Sequence, residues 1–321
     1  MPAWLRWVGI VFVGLIAVLG AAYWWFFVES SVPEGKFDLD MVELRSLANS
    51  IKDEKPIDVR VEHVGSGEFA LAIGLAGGAW SPSDIPFQSF QVLYNGGRHV
   101  IIDTGMDKAT ATKDGAPKFY DEASFARIVK AMETAWHIVV THEHFDHMAG
   151  LTTAPSVKDL MTRAVLTAEQ VNSTAPAAIV AKVPADALQG YTPLTYEKYH
   201  VLAPGIVLIK APGHTPGSQM VFVQLQNGAE YLLLGDVAWK MANVDLVRER
   251  PRAVTQFFLQ EDRNKVALQL KAIKEAKDAN PQLLVVPGHD LGILNRALEE
   301  GWLKAGFSLP EVSPTPTINP P

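Results

Sequence analysis

The stretch Thr141-His142-Glu143-His144-Phe145-Asp146-His147 holds three histidines and one aspartate, directly after the apolar run Ile138-Val139-Val140. A short apolar run of this kind is typical of a buried strand, so we expect the polar cluster where that strand ends. In an extended segment, His142 and His144 lie two residues apart and point to the same side. Imidazole and carboxylate groups are ligands that zinc accepts. The stretch therefore predicts a metal site, and the alternative is a solvated loop that happens to be rich in histidine.

The composition limits the classes of protein to which the chain can belong. Its 321 residues are 48% hydrophobic and 20% charged, which is enough for one large domain or two medium ones. The formal net charge is -7, and the sequence shows no dense stripe of lysine and arginine, so we expect no nucleic-acid partner. The chain has no cysteine, which excludes disulfides, zinc–thiolate sites and a thiol nucleophile.

The amino-terminal segment is apolar enough to meet a membrane. Residues 8–28 carry no charge and match the roughly 20 residues that a helix needs to cross a bilayer. Aromatic residues flank the run on both sides, as is typical of the two membrane surfaces. With Arg6 on the cytoplasmic side, the body of the protein would be exported, in a bacterium to the periplasm. We therefore interpret residues 1–28 as an uncleaved anchor in the lipid bilayer; the alternative is a signal peptide cleaved near Gly20-Ala21-Ala22, which would release a secreted protein.

The remainder of the chain predicts one layered α/β domain over residues 56–307, with paired sheets. Residues 29–55 are polar and mixed in charge, and we interpret them as a spacer that ends in a short helix. Residues 308–321 contain five prolines and are predicted to be disordered. Alternating or continuous apolar runs predict strands, and amphipathic runs predict helices. The predicted elements used below are strands at Ile57–Glu62, Phe69–Leu75, Ser89–Tyr94 and His99–Asp103, a two-residue type I′ turn at Asn95-Gly96, and helices at Asp121–Thr134 and Asn264–Ala279.

Three further polar residues follow predicted strands in tight turns. His214 lies in the Gly/Pro-rich turn 212–217 after the apolar run 206–210, Asp236 follows Leu232-Leu233-Leu234, and His289 follows Val285-Val286-Pro287-Gly288. Sheets commonly present functional side chains on the loops at their strand ends. Each residue alone is more often structural, but together with the cluster at 142–147 they indicate one site.

The full pattern resembles the metallo-β-lactamase superfamily. The matching residues are His142-x-His144-x-Asp146-His147, His214, Asp236 and His289, with Asp103-Thr104-Gly105 upstream, so the resemblance spans about residues 57 to 290. It implies a four-layer αββα sandwich that holds two divalent metal ions, with zinc the expected metal. It further implies that Asp103 stands behind the site and orients a ligand histidine, although a strand-end turn is an equally good role for this residue. The implied ligands are His142, His144 and His214 for one metal, Asp146, His147 and His289 for the other, and Asp236 as a bridge.

The resemblance also implies a reaction. Two divalent cations lower the pKa of bound water towards about 7, so a bridging hydroxide would attack the carbonyl carbon of a small-molecule substrate. Asp146 and Asp236 are the expected catalytic carboxylates. A site that contains both aspartates is more similar to those of the lactonase and glyoxalase II branches than to those of the β-lactamases. We therefore expect a hydrolase of small esters or lactones, of which N-acyl homoserine lactones are one type.

The residues that choose the substrate are harder to assign. Lactonase-type members often carry a tyrosine three residues after the bridging aspartate, and Trp239 takes that position here; it can donate through its indole N–H but cannot act as a phenol. We expect Trp239 to contact substrate, together with Tyr191, Tyr196 and Tyr199, for which packing or solvation is the alternative. A β-lactamase or a small-molecule phosphodiesterase of the same fold stays open, as does a non-catalytic, membrane-tethered metal-binding protein. The oligomeric state is left open.

Overall fold

The computed structural model describes residues 2–115 and 117–309. The predicted disordered tail falls almost wholly outside these ranges, because only Ser308 and Leu309 of it are described. The described residues form twelve strands. They are β1 (Asp58–Ala70), β2 (Pro82–Leu93), β3 (His99–Ile102), β4 (Phe119–Tyr120), β5 (His137–Val139), β6 (Ala164–Val165), β7 (Tyr199–Ala203), β8 (Ile206–Lys210), β9 (Gln219–Gln224), β10 (Glu230–Leu233), β11 (Leu283–Val286) and β12 (Lys304–Ala305).

The strands make two sheets. The first has seven strands in the order β12-β1-β2-β3-β5-β6, with β4 paired to β1, and the second has five in the order β11-β10-β9-β8-β7. The helices are α1 (Ala3–Tyr23), α2 (Met41–Ala48), α3 (Leu71–Gly74), α4 (Lys108–Thr110), α5 (Glu122–Thr134), α6 (Phe145–Thr153), α7 (Val157–Met161), α8 (Ala168–Val171), α9 (Met241–Leu246), α10 (Arg252–Val254), α11 (Arg263–Ala279) and α12 (Leu291–Glu299).

Apolar side chains on both faces of each sheet produce four layers. In β3, Val100 and Ile102 pack between the sheets, whereas Ile101 packs against the helical layer of α5, α6 and α7. In β8, Leu208 faces the space between the sheets, whereas Ile209 packs against α2 and α11. Side chains of a strand alternate between its two faces, so continuous apolar strands are expected where a sheet is covered on both sides. The αββα sandwich is thereby confirmed.

Two local predictions differ from the structure. The strand predicted at Phe69–Leu75 is wrong, because β1 ends at Ala70 and α3 follows directly. The hairpin of β2 and β3 is confirmed, with Leu93 opposite His99. Its turn is wider than the predicted two residues, because the amide of Tyr94 donates to the carbonyl of Arg98 at 2.8 Å and the left-handed residues are Gly96 and Gly97 rather than Asn95.

The predicted spacer 29–55 is only partly a spacer. Its expected short helix is α2, which begins at Met41 after the capping side chain of Asp40. Leu44 and Ala48 of this helix are fully buried against the outer face of the second sheet. The second half of the segment therefore belongs to the folded domain, because α2 supplies part of its fourth layer.

The apolar amino terminus forms one continuous helix. The α-helical part α1 is followed by a wider, π-helical stretch at Trp24–Val28. Within the part of the chain that the structure describes, this 26-residue unit is the one helix long and apolar enough to cross a membrane, and its most apolar window has a mean hydropathy of 2.2 with none of it buried. Length and composition of this kind are shared by anchors and signal peptides.

Candidate metal centre

The loops that follow β5, β8, β10 and β11 converge and bring the predicted ligands together. Gly235 makes this convergence possible, because it has a left-handed φ of 51° and a Cβ at this position would lie 2.6 Å from Thr141. The polar atoms of the ligands form three overlapping groups, in each of which they lie within 4.8 Å of one another. The members of these groups are His142, His144, Asp146, His147, His214, Asp236 and His289.

The carboxylate of Asp236 lies between two sets of side chains. We refer to His142, His144 and His214 as the first half-site, and to Asp146, His147 and His289 as the second. Oδ2 of Asp236 lies 3.8 Å from Nε2 of His142 and 3.4 Å from Nε2 of His214. Oδ1 lies 3.3 Å from Nε2 of His147 and 3.1 Å from Nε2 of His289. Each carboxylate oxygen thus faces its own half-site.

The donor set fits divalent metal ions. Over the described residues, Nε2 of His142, Nε2 of His147 and Oδ1 of Asp236 are buried and have no hydrogen-bond partner. Such orphaned polar atoms cost free energy in a folded protein unless something else satisfies them. Imidazole nitrogens and carboxylate oxygens that converge on one point are what zinc and similar metals require. The geometry therefore supports metal binding by these side chains.

The two half-sites differ in their electrostatics. Burial lowers the pKa of His142 well below its ordinary value, with the neighbouring histidine His147 adding to the effect. Burial and His214 lower the pKa of His144 to about 3. In the second half-site burial also lowers the pKa of His289, but the carboxylates of Asp236 and Asp146 outweigh it and raise the pKa to about 9.

The remaining members of the second half-site follow the same logic. Burial opposes protonation of His147, yet the carboxylates of Asp146 and Asp103 raise its pKa well above the ordinary value. Burial raises the pKa of Asp236, but His289 and His147 hold it well below its usual range. Without metal, His142 and His144 of the first half-site are therefore neutral, whereas the second half-site is a network of carboxylates and protonated histidines.

Asp103 lies directly behind the second half-site. Its Oδ2 lies 2.8 Å from Nδ1 of His147, and it also accepts hydrogen bonds from the amide of Thr141 at 2.6 Å and from the Thr141 hydroxyl at 3.0 Å. The backbone of Asp103 is left-handed, with a φ of 60°, which is costly for a residue other than glycine. A carboxylate on the far nitrogen of a ligand histidine fixes the orientation and tautomer of that ring. Asp103 is thus placed to orient His147.

The first half-site is supported by a buried ion pair that the sequence did not reveal. Oε2 of Glu261 lies 2.9 Å from Nδ1 of His214 and accepts a hydrogen bond from Nε of Arg250 at 2.8 Å. Nη2 of Arg250 also donates to the backbone carbonyl of Asp236 at 2.8 Å. The side chains of Arg250 and Glu261 are 1% and 0% exposed, so this ion pair is fully removed from water. Burial raises the pKa of Glu261, but Arg250 and His214 outweigh it and keep the pKa below the usual range.

A second carboxylate missed from the sequence holds the turn that carries His214. Glu143 is fully buried, and its Oε2 accepts a hydrogen bond from the Thr215 hydroxyl at 2.9 Å. Glu143 lies between His142 and His144, whose side chains are predicted metal ligands. Glu261 had no comparable indication, because it lies 47 residues after His214 and outside any motif.

Of the four predicted substrate contacts, only Trp239 lies next to the ligand cluster. Trp239 lies at the cluster: its indole N–H donates to Oδ2 of Asp236 at 2.7 Å, and its ring stands edge-on to that of His289. The hydroxyl groups of Tyr191, Tyr196 and Tyr199 instead donate to the carbonyl of Ala164, the side chain of Gln219 and the carbonyl of Asp38. The structure does not bring these tyrosines to the ligands. Their role in substrate binding stays a prediction, which these hydrogen bonds do not favour.

The chain belongs to the metallo-β-lactamase superfamily. The model of that family matches residues 84–289, well over half of the chain. All seven residues of the cluster lie within the matched range.

The relatives found among characterised proteins are lactonases. An N-acyl homoserine lactonase of a Bacillus species is 25% identical over 162 residues, which cover 46% of this chain and 62% of the relative. The lactonase AiiA of Bacillus thuringiensis subsp. kurstaki is 25% identical over 165 residues, with the same coverage of both chains. This chain therefore aligns with less than two thirds of the length of these relatives.

Solved structures of lactonases share the fold. An N-acyl homoserine lactone hydrolase with the product N-hexanoyl-L-homoserine at its catalytic metal center has a TM-score of 0.59 at 17% identity, covering 75% of this chain and 96% of that one. The dizinc quorum-quenching lactonase AidC has a TM-score of 0.53 at 16% identity, covering 75% and 90%. At these identities the likeness establishes the architecture alone.

Proposed function

We propose that the protein is a dinuclear metal-dependent hydrolase of small lactones and esters, with N-acyl homoserine lactones as the first candidate substrates. The observation that carries the proposal is Asp236, whose two carboxylate oxygens face the two half-sites at distances of 3.1 to 3.8 Å. The lactonase relatives and the dizinc lactonase of the same fold support the choice of substrate and the number of metals.

The proposal gives each ligand a place. His142, His144 and His214 would hold one metal ion, Asp146, His147 and His289 the other, and Asp236 both. Divalent metals, when bound at such a centre, acidify coordinated water and polarise a carbonyl oxygen. The protein then has to position the metals, keep the carboxylates ionised and move protons.

Asp146 is the best placed carboxylate for proton transfer. Its side chain is 11% exposed, whereas that of Asp236 is 3% exposed, so Asp146 is the one that a substrate can approach. Burial raises the pKa of Asp146, but His147 and His289 outweigh it and keep the pKa below its ordinary value. The group is therefore a carboxylate at neutral pH and can accept a proton from the nucleophile and return it to the leaving alkoxide. Asp236, tied by Trp239 and by both half-sites, has a positioning role.

We propose further that the apolar helix Ala3–Val28 stays attached and anchors an exported catalytic domain to the membrane. The helix is long and apolar enough to span a bilayer, and near its end the ring of Phe27 lies 5.3 Å from that of Trp80 in the domain. An anchor of this kind is compatible with a small, membrane-permeant substrate.

A substrate panel tests the proposed reaction. Full-length protein in detergent would be stripped of metal, reloaded with zinc and assayed with N-hexanoyl homoserine lactone, an aryl ester, a chromogenic cephalosporin and a phosphodiester. We expect lactone and ester hydrolysis that a chelator abolishes, with metal content approaching about two per chain by elemental analysis. Turnover of the cephalosporin or the phosphodiester without lactone turnover would replace the proposed substrate class. A fully active protein with one metal per chain would refute the dinuclear mechanism.

A further inference from the structure

An exposed aromatic surface lies beside the end of the amino-terminal helix. Trp80, Phe257 and Phe258 are 55%, 63% and 70% exposed, and we refer to them together as the aromatic surface. The ring of Trp80 lies 5.3 Å from that of Phe27, and the ring of Phe257 lies 5.9 Å from that of Phe26. Trp80 and Phe257 thus contact the helix end, and Phe258 follows Phe257 in the same helical stretch. Single exposed apolar residues are ordinary, but large aromatic side chains grouped beside an apolar helix indicate an interaction site.

The helix end is fixed to the domain by polar contacts, so the aromatic surface keeps a defined position relative to it. Oε2 of Glu29 lies 2.7 Å from Nη2 of Arg252 and 2.8 Å from Nη1 of Arg263. Ser30, the next residue after Glu29, donates a hydrogen bond from its hydroxyl to the carboxylate of Glu249 at 2.8 Å. The side chains of Arg263 and Glu249 are 9% and 0% exposed, and those of Glu29 and Arg252 are 17% and 24% exposed, so the network is partly shielded from water and from salt. The helix therefore leaves the domain in one direction rather than through a loose linker.

The same contacts set the depth of the aromatic surface. A helix of 26 residues is about 39 Å long, whereas the hydrocarbon core of a bilayer is about 30 Å thick, so a spanning helix reaches the headgroup region with its last turns. The indole N–H of Trp80 donates to the hydroxyl of Tyr23 at 2.9 Å, at the start of these last turns. Trp80 therefore lies at the level of the membrane interface, where tryptophan and tyrosine are enriched.

We propose that the aromatic surface docks on the lipid bilayer, with Trp80, Phe257 and Phe258 in the headgroup region beside the helix. The bilayer is the occupant because the surface continues the face of a helix whose own length and composition suit a membrane. Arg252, which is paired with Glu29, stacks over the ring of Trp25 at 3.9 Å, so the ion-pair network lies directly beside the aromatic groups. The inference rests on the proposed anchor but is independent of the proposed substrate.

Docking would bring the first half-site close to the membrane. Phe257 and Phe258 lie in the π-helical stretch Thr255–Leu259, which leads within a few residues to Glu261, the partner of His214. A cavity of about 370 Å³ lies beside this segment. It is lined by Leu259 and Gln260 of the segment and by His214 and its turn. The docked surface and the candidate metal centre thus share one segment of chain.

A single-thiol fluorescence experiment tests the docked surface. The chain has no cysteine, so Phe258→Cys creates one labelling site for an environment-sensitive, thiol-reactive fluorophore. The matched control is Asn95→Cys, because Asn95 is exposed and lies beyond the far end of β2, whose 12 residues from Pro82 place it roughly 40 Å from Trp80. Both full-length variants would be reconstituted in phosphatidylcholine and phosphatidylglycerol vesicles that contain headgroup-level spin-labelled lipid, and floated on a density gradient.

We expect the probe at 258 to be quenched several-fold more strongly by the spin-labelled lipid than the probe at 95, and to be shielded from aqueous iodide. Equal quenching of the two probes in floated vesicles would overturn the docked surface while leaving the anchor intact. Failure of the full chain to float would overturn the anchor and the docked surface together. Neither readout uses turnover, so both results are distinct from a failure of the proposed lactone hydrolysis.

Discussion

His144 of the first half-site and His289 of the second are both buried, yet their protonation differs. Burial and His214 lower the pKa of His144 to about 3. Burial also lowers the pKa of His289, but Asp236 and Asp146 raise it to about 9. His144 is thus ready to bind a cation at neutral pH, whereas His289 must first release a proton. The difference arises from the neighbours: histidines surround His144, and carboxylates surround His289.

The groups that orient the ligands differ in the same way. Asp103 lies behind His147, and its carboxylate accepts a hydrogen bond from the backbone amide of Thr141. Behind His214 stands Glu261, whose charge is balanced by the fully buried Arg250. A buried carboxylate that has its own counter-ion needs no metal to be stable, but losing one partner leaves the other uncompensated. We therefore expect the first half-site to be structurally stiff and the second to depend on bound metal.

Removal of the carboxylate that faces both half-sites should have the largest effect. For Asp236→Ala we expect kcat/KM for the lactone to fall about 1,000-fold or more, because several kcal/mol of transition-state stabilisation depend on correctly held metals. Metal content should fall as well, and circular dichroism should show a retained fold. Asp236→Asn is the matched control, since it keeps the shape and an acceptor for Trp239. Turnover of the alanine variant within tenfold of the parent would contradict the shared role.

The pH dependence of metal binding should separate the half-sites next. Metal binds neutral imidazole, so the protonated His147 and His289 must each lose a proton, and affinity at the second half-site should rise up to about 100-fold per pH unit until the pH approaches 9. Affinity at the first half-site should rise less steeply between pH 6 and 8, because the pKa values of His142 and His144 are lowered, to about 3 for His144, and neither has a proton to release. Calorimetric zinc titration in buffers of different ionisation enthalpy measures the protons released. Equal proton release in both binding steps would erase the proposed distinction.

A pair of isosteric substitutions should weaken one half-site at a time. Glu261→Gln should lower affinity for the first metal, and Asp103→Asn affinity for the second, each about 10- to 100-fold, because each removes the carboxylate that orients a ligand ring. Glu261→Gln should also reduce stability by about 3 to 5 kcal/mol, because Arg250 is left buried without its counter-ion. Cobalt titration followed by visible absorption reports the affinities, and urea denaturation reports the stability.

The double variant Arg250→Met with Glu261→Gln is the control for that pair. It removes the uncompensated charge, so it should recover much of the lost stability without restoring the first-metal affinity. A loss confined to stability in Glu261→Gln, with metal affinity unchanged, would show that the ion pair supports only the fold.

Trp239→Phe should have the smallest effect. The ring is kept, so packing against His289 should persist, but the hydrogen bond to Oδ2 of Asp236 is lost. We expect kcat to fall about tenfold, which corresponds to roughly 1.4 kcal/mol for one bond to a carboxylate. A raised KM with unchanged kcat would indicate instead that Trp239 binds substrate, as the sequence predicted.

Much of the fold was predictable because its elements have strong local patterns. The amphipathic run at Asn264–Ala279 is α11 to within one residue, and the apolar strands predict a layered α/β domain with paired sheets, whereas the four-layer order follows only from the family resemblance. The predictions failed where local sequence is ambiguous: Leu71–Gly74 is apolar enough for a strand but forms a single helical turn. The burial of α2 could not be predicted, because this helix packs on a sheet whose strands lie more than 150 residues further along the chain.

The site shows the same division. The ligands could be predicted because each donor follows an apolar strand, and the strands align their ends. Glu261 and Arg250 could not, because their roles arise from a buried contact between distant segments that no spacing records. The tyrosines at 191, 196 and 199 mark the limit of such patterns: residue type and position in a loop predict a substrate contact, which stays a prediction, and their hydroxyl groups make hydrogen bonds within the fold.

The position of the aromatic surface has a consequence for how the enzyme would rank its substrates. Each added methylene favours transfer of an acyl chain from water into an apolar phase by about 0.8 kcal/mol, which is close to a fourfold enrichment. If the surface docks as proposed, the metal centre would meet long-chain lactones at a concentration far above that in bulk water, even if its cavity does not distinguish chain lengths. A preference for longer acyl chains, measured in vesicles, would then follow the partitioning of the substrates into lipid. On this view the membrane itself acts as part of the specificity pocket.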